Sequence, residues 1–250
     1  MTARYLVSTL IALLLINSAP SLSVAVPISD ISIQKVQGYL SSPPYAWTYA
    51  YDIGFSNLEV DVGIGIRLTG YTPTSSLETV WENGIESMWG HQFDIIDTEE
   101  SYHYHYHVNF DVQFYDYASP SAYHTVNVVN GTGSGNMLNW YTTSAWGEYY
   151  NGAYVTHEVG HMFGLYDEYQ GGAVNPANPI IDYSSIMGSL AGGAKNRHYN
   201  PFLGWLNGQS QSSGHQLSIG EYDPYWVIPE PSSLLLLVLG GIMLKRFRKH

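Results

Sequence analysis

The chain has 250 residues, no cysteine, and 21 acidic against 9 basic side chains, giving a formal net charge of −12. Disulfides are therefore excluded, and a bound metal must be held by imidazoles and carboxylates rather than by thiolates. So acidic a surface repels nucleic acid and anionic lipid, and it serves chiefly solubility while remaining compatible with cationic partners or bound cations.

In chain order, the first predicted element is for export. Arg4 precedes an apolar run from Tyr5 to Ile16, and Ser23-Val24-Ala25 offers small residues for a signal peptidase, so residues 1–25 read as a secretory signal peptide. Whether a propeptide lies within residues 26–57 stays open. From Leu58 to Thr69 the stretch Val-Asp-Val-Gly-Ile-Gly-Ile-Arg-Leu has the period of two of a strand. Thr74-Ser75-Ser76 then caps a helix predicted over 76–90, with Leu77, Val80, Trp81, Ile85, Met88 and Trp89 at helical spacing as a core stripe packed on the sheet.

Residues 102–116 alternate again and begin with Tyr102-His103-Tyr104-His105-Tyr106-His107, three tyrosines on one face and three histidines on the other. The histidine face is expected to be an ordinary solvated one. A second metal site at His103, His105 and His107 is the alternative, but it lacks a carboxylate at ligand spacing. His124 to Val129 reads as a short strand, followed by a flexible loop over Asn130–Gly135 that lacks the strand, helix and lysine of a phosphate loop. Val155, Val159, Met162 and Phe163 predict a helix from Tyr149 to Phe163, stopped by Gly164. Beyond it the chain is irregular and rich in Gly, Pro and Asn, with one late helix and a strand near Gln216–Tyr222.

The chemistry concentrates in His157-Glu158-Val159-Gly160-His161. Histidines four apart on a helix share a face, so both imidazoles can reach one tetrahedral ion. Glu158 beside them is suited to take a proton from metal-bound water, whose pKa zinc lowers to about 7. For a third ligand, Asp167 has the favoured spacing after the glycine turn, with Glu168 and His198 as competitors.

With Gly164 three residues after His161, Asp167 ten after His157, and Ser184-Ser185-Ile186-Met187-Gly188 further on, the segment resembles the metzincins. Their pattern is H-E-x-x-H-x-x-G-x-x-H followed by a methionine turn, to which Met187 corresponds. The departure is Asp167 in place of the third histidine, and a carboxylate is an accepted zinc ligand. Gly164-Leu165-Tyr166-Asp167-Glu168-Tyr169 also resembles the stretch after this motif in certain secreted bacterial peptidases. The resemblance covers roughly residues 58–205, and it implies a zinc-dependent peptidase acting on protein or peptide substrates with Glu158 as the general base.

The C-terminal end carries Pro229-Glu230-Pro231, an apolar run from Leu234 to Leu244, and Lys245, Arg246, Arg248 and Lys249. That run is short of the ~20 residues of a stable membrane span. The order of the three parts resembles the PEP-CTERM sorting signal that exosortases recognise in bacteria with an outer membrane. It implies transient membrane association, removal of the tail, and a product in the cell envelope or outside the cell. Between the export segments, residues 26–228 keep four basic and twenty acidic side chains, a net of −16.

The expected architecture is thus one α+β zincin domain over 26–228: a twisted mixed sheet, a backing helix at 76–90, the active-site helix, and a looser C-terminal subdomain with the methionine turn. A non-enzymatic envelope or matrix protein with a purely structural zinc is the second reading. It requires a closed site of four protein ligands.

Overall fold

The computed structural model describes residues 26–98 and 103–226. The expected signal peptide at 1–25 and sorting segment at 229–250 lie outside the described residues. Among the described residues there are eight strands and three α-helices. The strands are β1 (Ile31–Ser42), β2 (Tyr45–Ser56), β3 (Glu59–Gly70), β4 (Phe93–Asp97), β5 (Tyr104–Tyr115), β6 (His124–Gly133), β7 (Asn139–Ser144) and β8 (Leu217–Glu221). The helices are α1 (Ser75–Trp89), α2 (Asn151–Met162) and α3 (Asn200–Asn207).

The strands form one mixed sheet in the order β1-β2-β3-β5-β4-β8, with β6 pairing the far end of β3 and β7 pairing β6. β3 fixes its buried face. Its alternation turns Val60, Val62, Ile64, Ile66 and Leu68 inward, and β5 turns in Tyr104, Tyr106, Val108, Phe110 and Val112. The parallel register sets Val60 opposite Val108 and Val62 opposite Phe110, so the two apolar rows coincide. The crossover between these parallel strands runs through α1, as such a connection requires.

α1 starts where the sequence predicts, with Thr74 Oγ1 accepting from the Leu77 amide. Trp81, Ile85 and Trp89 are buried, Leu77 and Met88 are half-buried, and Val80 is 44 % exposed. The apolar stripe is therefore narrower than expected, because Val80 lies at the edge of the seam between α1 and α2, where its carbonyl faces Gly152. That seam is close: a β-carbon on Gly84 would stand 2.8 Å from Gly152 Cα.

Two further segments depart from the sequence reading. Within residues 26–57, for which the sequence predicts no element, β1 and β2 form an antiparallel pair and put Tyr51, Ile53 and Phe55 into the core. Most of the loop expected at Asn130–Gly135 is instead the end of β6, which continues to Gly133 against Thr143 and Ser144 of β7. A bulge between Val129 and Thr132 disturbs that pairing, and Gly131, at φ 120°, adopts the backbone conformation that only glycine takes easily.

The chain after α2 is irregular, as expected, until α3 and β8, and β8 pairs antiparallel with β4. Phe163 at the end of α2 joins Tyr51, Trp89, Phe110 and Phe202 in edge-to-face contacts at centroid distances of 5.0 to 6.3 Å. These aromatic contacts seat the C-terminal end of α2 against the sheet.

Candidate metal centre

α2 divides its side chains between core and site. Val155, Val159 and Met162 have no exposed surface, while His157 and His161, each 8 % exposed, lie together one turn apart. His157 Nδ1 donates to the Ile186 carbonyl and His161 Nδ1 to the Leu165 carbonyl, both at 2.9 Å. A carbonyl can only accept, so each Nδ1 carries a proton and each ring turns its Nε2 into the site.

Both Nε2 atoms converge on Asp167 Oδ1, at 3.1 Å for His157 and 3.3 Å for His161. One ligand atom from each of the three residues lies within 4.8 Å of the others. Asp167 is itself fixed, since Oδ2 accepts from the Ala173 amide at 2.6 Å. Its Oδ1 is buried and makes no hydrogen bond. Two imidazole nitrogens and a carboxylate oxygen therefore converge on one point, and a cation or protons on the imidazoles must hold such a group together. The residues thus fit a divalent metal by donor type and convergence alike.

The electrostatics agree. Burial pushes the Asp167 carboxyl up, but the two adjacent imidazoles outweigh it and hold the group well below the usual carboxylate range. Burial likewise disfavours charge on His157, yet Asp167, Glu158 and the Ile186 carbonyl together raise its proton affinity. Glu158, next to His157 and electrostatically coupled to both histidines, is pushed up, chiefly by its own burial.

The local sequence explains the convergence. Gly164, at φ 92°, reverses the chain at the end of α2, which brings Leu165 back over His161. The loop closes at the isolated bridge between Asp167 and Val174, and Gly172 allows the close approach, since a β-carbon there would stand 2.7 Å from Asp167 Oδ2. On the other side Ser185 Oγ accepts from the Met187 amide at 3.0 Å, forming the turn that presents the Ile186 carbonyl to His157. Met187 is fully buried beneath Gly160.

Of the three residues considered as third ligand, only Asp167 joins the cluster. Glu168, the next residue, instead receives Arg197 at two points, Nε to Oε1 at 2.7 Å and Nη2 to Oε2 at 2.6 Å. His198 Nδ1 accepts from the Lys195 amide, and its Nε2 lies 3.4 Å from both Glu168 Oε1 and Ser185 Oγ.

Two further side chains, neither of them given a role from the sequence, reach the cluster. Trp47 of β2 donates Nε1 to the His161 carbonyl at 3.0 Å, and its ring lies edge-on to His161 and to Tyr166 at 5.3 Å. Tyr169, two residues beyond Asp167, sets its ring 6.2 Å from His157. Burial and the carboxylates of Asp167 and Glu158 keep its phenol protonated.

The histidine row of β5 is not the solvated face that was expected. His105 and His107 donate Nδ1 to the two oxygens of the fully buried Asp94, at 2.9 and 2.8 Å. Trp226 and Tyr222 pack on the same rings. The carboxylate missing from the sequence reading arrives from β4, where Asp94 stands opposite His107 in the antiparallel register. His103 is exposed, and among the described residues only His157, His161 and Asp167 gather three ligand atoms for a metal.

Comparison with protein-family models, with curated proteins and with solved structures finds no match for this chain.

Proposed function

We propose that the chain is an exported zinc-dependent endopeptidase of metzincin type, with His157, His161 and Asp167 as ligands and Glu158 as general base. The observation that carries this reading is the buried, unpartnered Oδ1 of Asp167 facing two imidazole nitrogens whose tautomers are fixed by backbone carbonyls. Three protein ligands leave a coordination position open, which is the arrangement of catalytic rather than structural zinc sites. When bound, the ion supplies Lewis acidity toward the scissile carbonyl and acidifies coordinated water.

The protein's own groups do the rest. Glu158 accepts the proton of the attacking water and passes it to the leaving amine. Its burial, by raising its proton affinity, suits a group that must hold a proton between those two events. Gly164, Met187 and the backing helix α1 support the zincin arrangement in general outline. Export through the segments at 1–25 and 229–250, with an exosortase-type enzyme removing the second, rests on the sequence alone.

Zinc content and casein cleavage, measured with and without a chelator, test the function. A single zinc per chain and activity that is lost on chelation and restored by zinc are expected. A chain that binds zinc yet cleaves nothing would instead be the surface protein with a structural metal.

A further inference from the structure

Glu168 is buried, with 8 % of its side chain exposed, and its backbone and side chain each bind a different part of the site. The Glu168 amide donates to the Met187 carbonyl at 2.8 Å, while its own carbonyl accepts from the Asp182 amide at 2.8 Å. Its carboxylate holds Arg197 at two points, and the same Nη2 of Arg197 reaches Asp182 Oδ2 at 2.6 Å. One guanidinium therefore joins three segments: the loop carrying Asp167, the stretch entering the methionine turn, and the turn that leads into α3. Asp167 and Glu168 are consecutive, and the Glu168 carboxylate is held by Arg197 while the Asp167 carboxylate faces His157 and His161, so fixing Glu168 restrains the backbone that carries Asp167.

We infer that Arg197 is a positioning residue for the metal: through Glu168 it holds the Asp167 carboxylate in register with His157 and His161. The inference rests on the metal-site reading above. Arginine suits the task because its planar fork meets both carboxylate oxygens at once, whereas a lysine ammonium can satisfy one contact at a time. Removing the guanidinium would leave a buried carboxylate beside the third ligand with His198 and Ser185 as its remaining partners.

The test uses Co²⁺ as the metal probe on the full chain and on Arg197→Lys and Arg197→Gln. Dissociation constants, the visible absorption of the bound cobalt, and the melting midpoint of the metal-free proteins are recorded for each. Arg197→Gln should weaken cobalt binding by roughly 10–100-fold, the usual cost of losing an outer-shell partner, and alter the absorption band. Arg197→Lys should recover part of the affinity, and it keeps the comparison valid if the glutamine variant does not fold. Variants that melt earlier but bind cobalt with unchanged affinity and spectrum would reduce Arg197 to a structural ion pair and overturn the inference. A wild-type chain that fails to bind cobalt overturns the metal-site reading and the positioning role with it, a result visible before any variant is compared.

Discussion

Gly160, between His157 and His161 of α2, lies directly over Met187: a β-carbon built on it would collide with the Met187 sulfur and approach the Trp89 ring to 3.1 Å. The residue that looks least committed in His-Glu-Val-Gly-His is thus the one that lets the turn pass beneath the site. In an open helix, replacing glycine by alanine gains about 1 kcal/mol of propensity. Here overpacking opposes that gain at about 1–3 kcal/mol. Gly160→Ala should therefore be net destabilising and should weaken zinc binding, as denaturant unfolding and metal titration can show. A variant stabilised by the full propensity gain would mean that Met187 is free to move aside.

The proposed third ligand separates cleanly from its neighbours. Asp167→Ala removes a carboxylate that points into the cluster, whereas Glu168→Ala and His198→Ala act only through the network behind it. Zinc affinity should fall furthest in Asp167→Ala, beyond the roughly 10–100-fold typical of outer-shell changes, and by less in the other two. Competition titration against a chromogenic chelator gives the order, and a larger loss in Glu168→Ala would assign the wrong carboxylate.

Much of this site was legible because its information is local. Spacing along one helix puts His157 and His161 on a common face, and the reversal at Gly164 makes Asp167 the carboxylate that returns. The parts that escaped depend on partners distant in sequence. Trp47 reaches His161 from a strand 114 residues earlier, and the sequence 26–57 carries tyrosine-rich strands whose alternation is blurred. Asn130 to Gly133 looks like a loop by composition and becomes a strand end because β7 supplies backbone partners. His105 and His107 read as a polar face until β4 brings Asp94 alongside, since no periodicity within β5 can reveal what the neighbouring strand carries.

One pH effect should be separable from the metal. His124 Nε2 donates to the Ala50 carbonyl at 2.9 Å. Burial, aided by the charge of Lys35 and opposed by that hydrogen bond, lowers its pKa from the ordinary value of about 6.5. The unfolded chain therefore takes up a proton below about pH 6.5 that the folded protein refuses until a lower pH, so stability falls as pH drops through this window. Metal-free wild-type protein should lose more unfolding free energy between pH 7.5 and 5 than His124→Gln, in which that uptake is absent. Equal losses in the two proteins would show that His124 does not contribute.

The most direct measurement is zinc stoichiometry and casein hydrolysis on wild-type chain and Glu158→Gln in parallel. In the proposed mechanism Glu158 is the general base and not a ligand, so the variant should retain its zinc. Its turnover should fall by at least the roughly 10²–10⁴-fold that general-base catalysis contributes. Loss of zinc and activity together would make Glu158 part of the metal shell, and full activity in the variant would contradict the peptidase mechanism at its centre.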